Sequence, residues 1–148
     1  MGIEEKINAD IKTAMLARDA GRLEALRAIK SAILLLKTSP EGLTEESAAK
    51  AMQKEVKKRR ETAEIYKQQN RNDLGDVEIF QAKVIEEYLP KQIGEAELRT
   101  SIQDLIRELG ASSPADMGKV MGAASKKYAG QADGKMVSTI VKELLGKG

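Results

Sequence analysis

Cysteine and histidine are both absent from this chain of 148 residues. Their absence removes the thiolate nucleophile, the imidazole base and the usual zinc-ligand sets. Tryptophan is missing as well, and one Phe and three Tyr are the whole aromatic complement. The core must therefore come from Leu, Ile, Val, Ala and Met, a mixture that suits helices better than sheets. No run of about 18 apolar residues occurs, so the sequence offers no membrane-spanning segment. The start, Met1-Gly2-Ile3-Glu4-Glu5-Lys6, lacks the basic-then-apolar layout of a secretory signal, and zero cysteine leaves no disulfide framework. These features predict a cytoplasmic protein with no membrane partner. A strong charge of one sign is also lacking: the net charge of +2 singles out no partner by itself. No cofactor and no metal are expected, since neither a carboxylate metal site nor a Ser/Lys pair leaves a recognisable signature.

What is present is helical periodicity. Ile3, Ile7, Ile11, Ala14 and Met15 follow the three-and-four spacing of an amphipathic helix. Asp19-Ala20-Gly21 interrupts it, and Leu23, Leu26, Ile29, Ala32, Ile33 and Leu36 resume the period until Thr38-Ser39-Pro40-Glu41-Gly42 stops it. Thr44 can then cap a long charged helix whose first turn carries Glu45 and Glu46, where the helix dipole favours acids. Its inward face is expected to carry Ala48, Met52, Val56, Ala63 and Tyr66. After Asn70-Arg71-Asn72-Asp73, with Asn72 or Asp73 as the expected cap, Leu74, Val77, Phe80, Val84 and Tyr88 describe one more apolar stripe, ended by Leu89-Pro90.

Lys91-Gln92-Ile93-Gly94 reads as a hinge. Beyond it, Leu98, Ile102, Leu105, Ile106 and Leu109 define a short helix, with Gly110 where a left-handed cap belongs. Ser113 can cap the next helix, Pro114 fills its first position, and Asp116 can reach back to the cap backbone. A last helix follows Asp133-Gly134 and carries Val137, Ile140, Val141, Leu144 and Leu145. No segment alternates with period two over a convincing length. The expected fold is all-α, with an N-terminal domain of about four helices over residues 1–93 and a three-helix domain over residues 94–148.

Three features are candidates for function. The basic run Lys54-Glu55-Val56-Lys57-Lys58-Arg59-Arg60 turns through nearly two full circles of a helix, so its charges are spread around the axis. With Glu61 and Glu64 at pairing distance from Lys57 and Arg60, it reads as a solvated, self-paired face. The second is the region from Met117 onward, which holds Lys119, Lys126, Lys127, Lys135, Lys142 and Lys147 against only Asp133 and Glu143. Such lysines either keep a small domain soluble or neutralise the phosphates of a nucleic acid. Tyr128, beside Lys126 and Lys127, either stacks on a base or closes a core. The third is Gly118-Lys119-Val120-Met121-Gly122, whose glycines share a helical face. Close approach of a neighbouring helix is the expected reason for them, with close approach of a ligand's backbone as the alternative. Gly130-Gln131-Ala132-Asp133-Gly134-Lys135 does not have the order of a phosphate-binding Walker loop and reads as a turn and a cap.

Three segments together carry a family resemblance. They are Met15-Leu16-Ala17-Arg18-Asp19 through Arg27; Lys58-Arg59-Arg60 through Tyr66, Asp73-Leu74 and Tyr88-Leu89-Pro90; and Asp116 through Gly122 with Ala132-Asp133-Gly134. The whole chain resembles the YqeY family of small bacterial proteins, within the GatB/YqeY group. Its C-terminal part also resembles the tail domain of the B subunit of glutamine-dependent aminoacyl-tRNA amidotransferases. That likeness implies a helical tRNA-binding element whose catalytic domain is housed elsewhere.

The resemblance therefore favours the nucleic-acid reading of the lysines. It implies a tRNA-binding or structured-RNA-binding accessory protein of translation using Lys119, Lys126, Lys127, Lys135 and Tyr128, with a translation-related protein as a further partner. It also implies carbon–nitrogen ligase activity with glutamine as amido donor, although no catalytic constellation is visible in the chain. A third expectation is a helical interaction module that binds a protein along the charged helix between Thr44 and Asn70.

Overall fold

The computed structural model describes residues 2–146, and Lys147 lies outside them. Every regular element among the described residues is helical. In chain order they are α1 (Ile3–Leu16), α2 (Ala20–Lys37), α3 (Glu45–Gln68), α4 (Asn72–Glu86), α5 (Glu95–Leu109), a 3-10 turn (Pro114–Asp116), α6 (Met117–Lys127) and α7 (Gly134–Gly146). The chain divides into two compact units, Met1–Pro90 and Lys91–Gly148.

In the first unit, local sequence sets the helix boundaries. Asp19 accepts from the Arg22 amide and starts α2, after Arg18 has taken a left-handed φ of 56° that breaks the run from α1. Thr44 and Ser47 form a reciprocal capping box at α3. The expected cap at Asn72 or Asp73 is not formed. Arg71 stands at that position without a side-chain cap bond, and Asp73 pairs with it from the first turn of α4. Asn70, with φ of 60°, turns the chain so that α3 and α4 run antiparallel.

The core of this unit is built from Ile7, Ala25, Leu26, Ile29, Met52, Val84 and Ile85. Each large aliphatic side chain removed from water there contributes about 1.5–3 kcal/mol. Gly75 marks the closest approach of α3 and α4, since a Cβ on it would lie 3.1 Å from the carbonyl oxygen of Ala63. The expected inward face of α3 holds at Ala48, Met52 and Ala63, with Val56 and Tyr66 only half-buried.

The two arginines of the basic run are paired, one within α3 and one across the helix hairpin. Arg59 pairs with Glu55 and donates to Gln81, whereas Arg60 pairs with Glu86 on α4 in place of the expected Glu64. The C-terminal end of α4 is tied down in the same way. Arg22 of α2 grips Glu87 with two hydrogen bonds of 3.0 and 3.1 Å, Tyr88 donates to Asp10 of α1, and Lys6 lies 5.2 Å from the Tyr88 ring centre.

The second unit packs α5, α6 and α7 around Leu98, Ile102, Val120, Ala124, Ile140 and Val141. Gly110 closes α5 in the left-handed conformation, with φ of 67°. Ser113, Pro114 and Asp116 form the expected capping box. The first turn after the box is 3-10, and it runs directly into α6.

Candidate nucleic-acid interface

The second unit carries all the candidate residues, and the structure divides them by environment. α6 is amphipathic, with Val120 and Ala124 buried and Met117 and Met121 packed against the core. At 100° per residue, Gly118, Gly122, Lys126 and Lys119 fall within an arc of about 100° on the opposite side. All four are exposed. A Cβ at Gly118 or at Gly122 would meet nothing within 4 Å. The packing role expected for these glycines is therefore wrong: no neighbouring helix among the described residues approaches them, and their shared face is open.

Lys119 is anchored at the edge of that face. Its Nζ donates to the carbonyl oxygen of Leu109 at 3.0 Å, a cation placed on the last turn of α5 where unpaired carbonyls carry partial negative charge. Lys126, exposed one turn beyond Gly122, has no ionic or hydrogen-bonding partner among the described residues. Lys127 points toward the other border of α6, with its ammonium 5.7 Å from the ring centre of Tyr128.

Tyr128 itself is a correction. Only 3% of it is exposed, it belongs to the core of the unit, and its hydroxyl shares a 2.5 Å hydrogen bond with Ser101 of α5. A ring enclosed in this way has no free face to offer a base. The single-residue signal, an aromatic among lysines, is indistinguishable from that of an aromatic that closes a core, and here the core claims it.

Lys135 lies on the first turn of α7 and is exposed. Its backbone N–H donates to Asp133 Oδ1 at 3.1 Å, so Asp133 caps the helix as its position in the turn suggested. Lys142, absent from the candidate set, is also exposed and follows Lys135 by seven residues, which puts both on one side of α7. That spacing was the available signal. On the same helix, Glu143 is engaged by Arg99 of α5 at 2.8 Å and does not neutralise this side.

The acidic start of α6 is held by backbone. Asp116 accepts from the amides of Ser112 at 2.9 Å and Ser113 at 3.3 Å, which keeps its carboxyl below the usual carboxylate range, with a smaller contribution from Lys119. A shallow depression lined by Gln103, Ile106, Arg107, Ala111 and Leu144 contains none of the candidate lysines. Among the described residues, no three acidic, His or Cys side chains cluster as a metal site requires.

The comparison with known proteins follows the whole chain. The profile of the family described as Yqey-like protein matches residues 4–145. The chain belongs to the YqeY-like family. Two fungal proteins, each named "Altered inheritance of mitochondria protein 41, mitochondrial", are similar to it. That of Pyrenophora tritici-repentis is 27% identical over 95% of this chain and 80% of its own length. That of Clavispora lusitaniae is 26% identical over 72% of this chain and 64% of its own length. Both of these relatives carry a mitochondrial label, which sets them apart from the cytoplasmic placement expected here. For this YqeY-like chain, no helix among the described residues is long and apolar enough to cross a membrane.

Proposed function

We propose that this YqeY-like protein binds tRNA, or a structured RNA of the translation apparatus, through the open face of α6 and the exposed lysines of α7, and performs no chemistry of its own. The observation that carries the reading is the pair Gly118 and Gly122, unpacked and bordered by Lys119 and Lys126. Glycine inside a helix costs about 1 kcal/mol relative to alanine, and no packing contact among the described residues offsets that at these two positions. A surface without side chains lets a phosphate backbone come close to a helix, and cations at its edge would neutralise it. The likeness to the amidotransferase tail domain points the same way.

Titration of the full chain with bulk tRNA at about 50 and about 200 mM salt tests this reading. If about four phosphates are neutralised, affinity should fall roughly a hundredfold between the two conditions. Lys126→Glu combined with Lys135→Glu should weaken binding on every tRNA while leaving the helical content unchanged. No binding at the lower salt refutes the reading. Glutamine-dependent amide formation on mischarged tRNA by this chain alone would replace it with the ligase reading.

A further inference from the structure

The apolar stripe of α4 extends beyond the part of the unit that covers it. Val84 and Ile85, in the second half of the helix, are buried in the core. Val77 and Phe80, earlier in the helix, are 50% and 45% exposed. Phe80 is the only phenylalanine in the chain, so a scarce large apolar side chain is left half in water. Its other half rests on the first turn of α2, where a Cβ at Gly21 would come within 3.1 Å of the ring. α2 begins at Ala20, one residue earlier.

Two opposite charges flank this apolar centre. Asp76 and Lys83 are seven residues apart, on the same side of α4 as Phe80, and both are exposed. They stand about 10 Å apart along the helix, too far to pair with each other. Among the described residues neither has an ionic or hydrogen-bonding partner. Asp73, also exposed, lies at the same end but is already paired with Arg71, so Asp76 is the unpaired acid there.

We infer that this face of α4 pairs with the same face of a second copy of the chain, antiparallel and about a two-fold axis between Val77 and Phe80. In that register Val77 faces Phe80 of the second copy. Lys83 comes level with position 74 of the second copy, between its Asp73 and Asp76. One symmetric operation then covers both apolar side chains and neutralises both ends, which is the self-complementarity that an isologous interface requires. A partner of one charge sign would satisfy only one end of the face.

Sedimentation equilibrium of the full chain should show reversible dimerisation. Lys83→Glu or Asp76→Lys alone puts like charges opposite each other at two symmetric positions. Each should weaken the dimer by about tenfold or more. An equimolar mixture of the two variants restores opposite charges at both ends of a mixed pair, and should recover dimer as a heterodimer. Both substitutions lie on the side of α4 turned away from the core, and circular dichroism checks that the fold is kept. A wild-type chain that stays monomeric at about 1 mM overturns the inference. So does a dimer that neither single variant weakens, which would use another face, and so does a mixture that fails to recover dimer.

Discussion

The phenol of Tyr88 donates to Asp10 Oδ2 at 2.5 Å and fastens the end of α4 to α1, 78 residues away in sequence. Burial first, and the Asp10 carboxylate second, push Tyr88 up to about 12 from an ordinary value of 10.0. The folded state thus favours the protonated phenol. Its contribution is fully present below pH 10 and is lost as pH rises toward about 12. Ultraviolet titration of phenolate should show a step near pH 12 that Tyr88→Phe removes. Persistence of that step in the variant would assign it to another tyrosine and contradict the account.

Gly75 and Gly122 should respond in opposite directions to alanine. At Gly75 the new Cβ lies 3.1 Å from the Ala63 carbonyl oxygen, a backbone atom that cannot swing aside. Separation of α3 from α4 should outweigh the gain in helix propensity, and urea unfolding should show a net loss of about 1–3 kcal/mol.

At Gly122 the new Cβ meets open space. Gly122→Ala should therefore raise stability by about 0.5–1 kcal/mol. The same substitution should weaken tRNA binding, because the methyl group fills the surface along which a phosphate backbone is proposed to lie. A variant that is more stable and binds equally well would remove the glycine face from the interface.

Tyr128→Phe separates core from contact. It removes the hydrogen bond to Ser101, whose hydroxyl is part-buried, and should cost about 1–2 kcal/mol of stability. RNA affinity should stay unchanged, since the ring is enclosed. A loss of affinity with the fold intact would return Tyr128 to the binding surface.

Asp116 gives the second unit an acid limit. Its carboxyl is held below the ordinary 3.8 by the Ser112 and Ser113 amides, so the stabilisation is present above that value and is lost as pH falls through the lower folded one. The thermal midpoint followed by circular dichroism should fall as pH drops below 3.8, and Asp116→Asn should reduce the fall. An equal fall in the variant would place the acid sensitivity elsewhere.

Helix starts and stops were the most legible part of this chain. Thr44, Ser113-Pro114-Asp116, Gly110 and Asp133 all act within three or four residues of where they stand. Asn72 and Asp73 show the limit of that reading. Asp73 is engaged by the neighbouring Arg71 guanidinium, so a capping residue type did not become a cap. The candidate lysines were legible as a group by composition alone. Their division was not: Lys119 serves a carbonyl of α5, Lys127 covers the Tyr128 ring, and Lys126 and Lys135 face solvent.

By itself the sequence determined that this chain is helical, where most helices begin and end, and which side chains share a face, because those properties depend on neighbours one turn away. Only the tertiary structure decided which of those faces are covered. Gly118 and Gly122 looked like a helix-packing surface and are bare, whereas Tyr128 looked available and is enclosed. Val77 and Phe80 continue a core stripe past the point where α2 covers it. Periodicity places residues around one axis, but whether another element lies against them depends on packing between segments distant in the chain.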